Sequence, residues 1–506
     1  MSGSFRLSSR RGKLASTLMM AVIATAACGT TVPTSEITRA DAGSSGLTAG
    51  SLPSTRQGAN QITSGSGPGA PVASAPNGRA SGPVSQVGAS TGIETSPRNG
   101  SAGNNSTARI AAGPVTIGAL TAQGAGDYQR SLGFSGGATG DQAAMTKSVV
   151  AYLNAHGGIA GHRVNVLIYD VKVGDAETNP SAAYQAACDY FTQDHHVFAV
   201  ASYLSLVPEN FYQCLQQHHV PVDTPDEEFS ANFLNRYADT VISQSAPNYT
   251  RLMADSVDAL WSSGWLTASS KVGVVAFDTS FGHSSVDAGL VPALSRHGLK
   301  LTDSFYTATD NSAASQYQGG VLKFKTAGVD RVFFAIGGEP IYFALAAEQD
   351  AYHPHYELGS LEYPGVLEQD LPADQLAGSV GVGFDPYFDL DNTLWPKVHT
   401  PGEARCLSAL KAADQDLSGG TTMGIGAWIC DEWFLFQTAF ANLRVLTPVS
   451  LMQAVESLGS RFASASAFAT YFASGRPHDG PSAYRLNAFQ SGCSCFTYQS
   501  NTRPLP

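Results

Sequence analysis

Past its N-terminal segment the chain has no run of about 18 consecutive apolar residues, so no later stretch is long enough to span a bilayer as a helix. Charge is sparse as well. Asp, Glu, Lys and Arg make up 14 % of the 506 residues, and the formal net charge is −12. No basic face is offered to phosphates, which excludes a nucleic-acid partner from the reading. The cysteines form no Cys-x-x-Cys pair and have no histidine spacing beside them, so a structural zinc site is not expected. Neither paired carboxylates nor a Cys–His arrangement stands out. What is present is an apolar content of 43 %, ordinary for a globular chain, and a length that fits two or three domains.

Residues 1–28 carry Arg6, Arg10, Arg11 and Lys13, then the apolar stretch 14–27, with no acid before Cys28. This pattern is that of a secretory signal. Ala24-Thr25-Ala26 fits ordinary cleavage, while Thr25-Ala26-Ala27-Cys28 resembles a bacterial lipobox whose cysteine is acylated. The reading taken is a lipid anchor at Cys28, with a soluble secreted protein as the alternative. Residues 29–112 hold no Phe, Trp, Tyr, Cys or Lys and are dominated by Gly, Ser, Thr, Ala and Pro. Such a composition cannot bury enough apolar area to offset its ordering entropy, so a disordered tether of roughly 50 Å reach is expected.

From Pro114 the pattern becomes periodic. "VTIGAL" (115–120) reads as a strand. Met145, Val149, Tyr152 and Leu153 then fall at helical spacing, with Thr139 and Gln142 as a capping box and Gly157 as the stop. "RVNVLIYD" (163–170) reads as the next strand. The unit recurs: "KVGVVAF" (271–277), a helix over about 283–297 and "LKLTDSFY", then a helix over about 314–327, "VDRVFFAIG" and a further helix. Alternating strands and helices in two sets predict an α/β fold of two Rossmann-like lobes with parallel sheets, and ligands in such sheets bind beyond the carboxyl ends of the strands.

Six cysteines follow Cys28, an even number in an exported chain, which favours disulfides. Cys188 and Cys214 fall near the ends of two consecutive helices and are expected to pair. Cys406 and Cys430 are expected to pair in the same way, and Cys493-Ser-Cys495 would close a tight local loop. "GFSGG" (133–137) matches G-x-S-x-G, but Ser135 lies too far past the strand for a nucleophile elbow. His195-His196 and His218-His219 read as solvated turns, and "HPHYE" (353–357) as a surface loop.

The text "VTIGALT", then "GDQ…VVAYLNAHGGIAGHRVNVLIYD", resembles the extracytoplasmic solute-binding proteins of ABC transporters, type I fold, in the branched-chain amino acid group. "VGVVAFDTSFGHSSVDAGLVPALSRHGLKL" and "GVDRVFFAIGGEPIYFALAAEQDAY" look like later segments of that family. The resemblance implies two lobes, 113–241 with 386–475 and 242–385 with 476–503, joined by a three-strand hinge that closes on ligand. It implies ligand contacts at Ser202, Tyr203 and Ser205 after one strand, at Thr224 after the next, at Phe281 in the second lobe and at Glu362 in "GSLEYPG". The acids Asp226, Glu227 and Glu228 either repel a ligand carboxylate or face water. The expected protein is a monomeric receptor and not an enzyme, without cofactor. It would be lipid-anchored outside the cell membrane and would pass a small polar solute to an ABC transporter permease. The alternatives are a sensory binding protein with a membrane partner and, less favoured, a secreted hydrolase using Ser135.

Overall fold

The computed structural model describes residues 113–126, 138–204, 207–225, 229–308, 313–337, 340–441 and 446–505. The N-terminal signal, Cys28, the 29–112 tether, Ser135, Ser205, Asp226, Glu227 and Glu228 lie outside the described residues. The main helices are α1 (Gln142–Ala155), α2 (Pro180–Asp189), α3 (Glu209–Gln217), α4 (Tyr249–Ser263), α5 (Ala313–Ala327), α6 (Pro340–Gln349), α7 (Glu403–Leu410) and α8 (Gly420–Phe440). Among the described residues no helix is long and apolar enough to cross a membrane.

The first sheet has the order β2-β1-β3-β4-β5 and is parallel throughout. Its strands are β1 (Val115–Gln123), β2 (Val164–Lys172), β3 (Val200–Ser202), β4 (Val222–Asp223) and β5 (Val241–Ile242). Alternation puts Ile117, Ala119, Ala201 and Ile242 on one face, under α1, α7 and α8. Leu120, Val200, Val222 and Val241 face the other way, against Phe191, Phe211 and Leu215. A parallel sheet covered on both faces is the arrangement its crossovers demand. Cys188–Cys214 joins α2 to α3, Cys406–Cys430 joins α7 to α8, and Cys493 is bonded to Cys495.

The second sheet, β7-β6-β8-β9, is also parallel. It comprises β6 (Val272–Phe277), β7 (Leu301–Thr307), β8 (Arg331–Ala335) and β9 (His355–Tyr356). All of β6 is buried, as suits a central strand. The last strands depart from the all-parallel expectation. β10 (Val380–Gly383), β11 (Ala483–Gln490) and β12 (Cys495–Tyr498) are antiparallel, with β13 (Arg503–Pro504) beside β11. The turn between β11 and β12 is too short for a crossover, and only antiparallel neighbours can be joined that way.

The glycine turn after α1 is a Schellman close. Gly157 takes φ +94°, and the Gly158 N–H donates to the Leu153 carbonyl at 2.8 Å. A Cβ on Gly158 would lie 1.9 Å from the His162 oxygen. Asn154 clamps this helix end to β2, accepting from the Val164 N–H at 2.7 Å and donating to the Val164 carbonyl at 2.9 Å. The helix start differs from the sequence expectation. Asp141, not Thr139, is the cap, and its carboxylate accepts from the Ala144 N–H at 2.8 Å. Gln142 is the first helical residue and turns its side chain to the Ala122 N–H, so it cannot complete a box.

The chain crosses between the two lobes three times, after β5, after β10 and before β11. The first and third crossings are paired: Ser243 N–H donates to the His478 carbonyl and Gly480 N–H to the Ser243 carbonyl, each at 2.8 Å.

Candidate functional site

The carboxyl ends of β3, β4 and β5 bring together a set of buried polar side chains. Ser202 and Thr224 are both fully buried, and neither hydroxyl meets a hydrogen-bond partner. The same holds for both amide atoms of Gln244, just past β5, and both carboxylate oxygens of Glu432 on α8. Leaving a buried polar group unbonded costs about 1–3 kcal/mol, so four in one region of the molecule call for an explanation. Tyr203 is different. Its ring lies in the core, and its hydroxyl accepts from the Trp433 indole N–H at 2.6 Å. Burial first, and then the charge of Glu432, push its phenol well above its ordinary range. Burial and the charge of Asp431 likewise raise the Asp223 carboxyl, while the Gln244 and Thr224 main-chain N–H groups work against that shift.

In the second lobe Tyr249, the first residue of α4, joins two expected residues. Its ring packs edge-on against Phe281 at 5.2 Å, and its hydroxyl donates to Glu362 at 3.3 Å. Glu362 is not a solvated loop acid. It is 1 % exposed, sits in the 3₁₀ turn Ser360–Glu362 and accepts from the Gly359 N–H at 2.9 Å. Burial, reinforced by Glu357, raises its carboxyl well above the usual range. Glu357 is pushed up to about 7 by burial. The "HPHYE" segment is therefore no surface loop: His355 and Tyr356 form β9, and Glu357 is 3 % exposed behind them, because β9 pairs with β8 and carries its neighbour inward. His353 does stay outside, 3.0 Å from Glu348, and these two with Asp374 form a group whose candidate ligand atoms lie within 4.8 Å of one another. His195-His196 and His218-His219 are exposed, with His196 and His219 at positive φ.

The crossing segments hold a third set of acids, all bonded. Asp385 accepts from the Trp428 indole at 2.9 Å, and Asp389 from Ser360 at 2.7 Å and from Tyr498. Asp479 accepts from the N–H and side-chain amide of Asn248 and from Arg251. Between the lobes a cavity of about 130 Å³ is lined by Gly365, Val366 and Gln369 on one side and Gly420, Thr422 and Ala138 on the other. A larger groove of about 340 Å³, along Arg461, Phe468 and Tyr471, lies on the third crossing and not at strand ends.

Comparison with known proteins agrees with this fold. A family model for periplasmic binding proteins matches residues 114–486. The chain belongs to the periplasmic binding protein family. Solved structures with this fold include an ABC transporter substrate binding protein from Aeropyrum pernix, 13 % identical over 78 % of this chain and 96 % of that one, with a TM-score of 0.59. A branched chain amino acid ABC transporter from Thermus thermophilus with bound valine is 14 % identical over 77 % and 97 %, with a TM-score of 0.57. A fatty acid ABC transporter substrate-binding protein from Thermomonospora curvata is 15 % identical over 78 % and 93 %, with a TM-score of 0.55. No curated protein matches. Membership in the family gives the chain a general solute-binding role and an extracytoplasmic place. The type I fold of the neighbours is the fold of this chain.

Of the residues expected from sequence, Ser202 and Thr224 lie at the carboxyl ends of the paired strands β3 and β4, and Phe281 and Glu362 meet through Tyr249. Tyr203 turns into the core, and Ser205 lies outside the described residues. Sequence reasoning passed over Tyr249, Gln244, Glu357 and Glu432. For Tyr249 a faint signal existed: Asn248 is a capping residue whose side chain accepts from the Arg251 N–H, which makes Tyr249 the first residue of α4. For Glu432 the signal was the acid pair Asp431-Glu432 inside a largely apolar helix, which the spacing argument did not take up.

Proposed function

We propose that this periplasmic binding protein is a membrane-tethered receptor that captures a small polar solute, an amino acid or a related compound, and delivers it to the permease of an ABC importer. Cys28 carries the lipid anchor, 29–112 is the tether, and the chain acts as a monomer. The lobes are 113–241 with 386–475 and 242–385 with 476–503. Solute is taken between Ser202, Ser205 and Thr224 of one lobe and Phe281 and Glu362 of the other.

The observation that carries this reading is the pair of buried, unbonded hydroxyls at Ser202 and Thr224. Hydroxyls at the carboxyl ends of parallel strands fit a ligand that supplies the missing partners. On the facing lobe Glu362 and Phe281 suit a polar or cationic group next to an apolar one. Contact with both lobes would hold them closed, and the closed population is what a permease can recognise.

The test is a thermal melt of the full chain against amino acids, amines, small peptides and carboxylates. A solute bound only by the folded state must raise the melting temperature, by an amount that grows with its concentration. If none of them does so at millimolar concentration, the receptor reading is lost.

A further inference from the structure

Asp431 and Glu432 are neighbours on α8, both fully buried, yet only the first is bonded. Asp431 accepts from Ser464, from the N–H groups of Ala465 and Ser466, and from the Ser466 hydroxyl. Glu432 accepts from nothing. The charges that act on it are those of Asp223 and Asp431, both negative. Gln244, 0 % exposed, is equally unbonded at both ends of its amide.

These groups share one face of the first sheet. Asp223 stands opposite Ile242 in the β4–β5 register. Ile242 belongs to the core beneath α8 with Tyr203 and Trp433, whereas Val241 points to the opposite core. Gln244 follows Ile242 by two residues, which returns it to the same face. Its main-chain N–H lies by the Asp223 carboxylate, and the Tyr203 phenol feels the charges of both Glu432 and Asp223. Two carboxylates, an amide and a phenol therefore meet between β3–β5 and α8.

We propose that this cluster is a buried site for one hard metal cation, with Ca²⁺ the ion whose charge balances Asp223 and Glu432. The donors are all oxygen, the set that hard cations select over softer transition metals. A proton on Glu432 would add a single donor to a place with several oxygens to satisfy, whereas Ca²⁺ takes about six to eight. The ion would hold the end of β4, next to Thr224, and the first crossing segment, through Gln244. It would thus fix one side of the solute site.

The experiment takes the full chain, strips it with EDTA, removes the chelator and titrates CaCl₂, MgCl₂, NaCl and KCl in turn, with thermal melts and elemental analysis. The expected result is about one Ca²⁺ per chain and a melting temperature higher by about 5 °C at saturating Ca²⁺. Glu432→Gln removes the rise, and Gln244→Met weakens Ca²⁺ at least tenfold, giving a second readout if the first variant fails to fold. Glu348→Gln, in the exposed group with His353 and Asp374, leaves the rise intact. Absence of bound metal together with no rise from any of the four salts overturns the proposal. So does a rise that survives in Glu432→Gln or disappears in Glu348→Gln.

Discussion

The crossing segments and the carboxyl end of the first sheet are both crowded with buried polar side chains, and they treat them in opposite ways. At the crossings Asp385, Asp389 and Asp479 each take donors from the protein itself. At the strand ends Ser202, Thr224, Gln244 and Glu432 take none. A hinge has to hold its geometry in every state of the molecule, so its polar groups must be satisfied internally. A ligand site can leave groups waiting, because the ligand completes them. The stability cost of the waiting groups is the reserve that binding recovers.

The largest test of this difference is Asp479→Ala. It removes the acceptor of Asn248 and Arg251 from a carboxylate side chain that is only 2 % exposed. Breaking a buried pair of this kind costs about 3–5 kcal/mol, read as a lower urea midpoint at unchanged slope. Next is a pH effect at Asp389, whose carboxyl burial pushes up to about 7 despite the donors Ser360 and Tyr498. Its folded value lies above the unfolded value of about 3.9. The group therefore binds its proton more tightly when folded. Its stabilising contribution is complete below about pH 4 and is lost as pH rises toward 7, at about 1.4 kcal/mol per pH unit. Urea unfolding of the Asp389→Asn variant should lack that slope between pH 4.5 and 6.5; an unchanged slope would show that Asp389 ionises normally.

The smallest effects on stability belong at the strand ends. Thr224→Val and Ser202→Ala each remove a hydroxyl with no partner, so stability stays within about 1 kcal/mol of the parent or rises. Solute affinity should nevertheless fall at least tenfold, about 1.4 kcal/mol. Destabilisation by more than about 1 kcal/mol would mean that these hydroxyls are structural and that the contrast with the hinge is false.

Much of the fold could be read from local pattern. β1, α1, β2 and the turn between them came from apolar spacing and the glycines, and the helix-to-helix disulfide 188–214 from the placement of two consecutive helices. The helix cap did not, because Thr139 and Asp141 are both capping residues, and backbone conformation selected the second. The reversal of β10–β12 escaped for a related reason: strand direction is set by the partner, and no residue in the strand records it. The site was half legible. Ser202 ends β3, and Thr224, Phe281 and Glu362 follow β4, β6 and β9 within a few residues, a placement visible in sequence. Gln244 and Glu432 become site candidates only when a crossing segment and α8 pack on the same face.

By itself the sequence determined the periodicities, and with them the two-lobed α/β architecture, since burying a helix stripe or a strand face depends on nearby residue spacing. The glycines of "NAHGGIAGH" belong to that part, because left-handed backbone and close approach are local demands. Only the tertiary structure decided which polar groups would find partners. Satisfying a buried donor or acceptor depends on what another element, often hundreds of residues away, brings to it, as Asp479 meets Arg251 while Glu432 finds no donor.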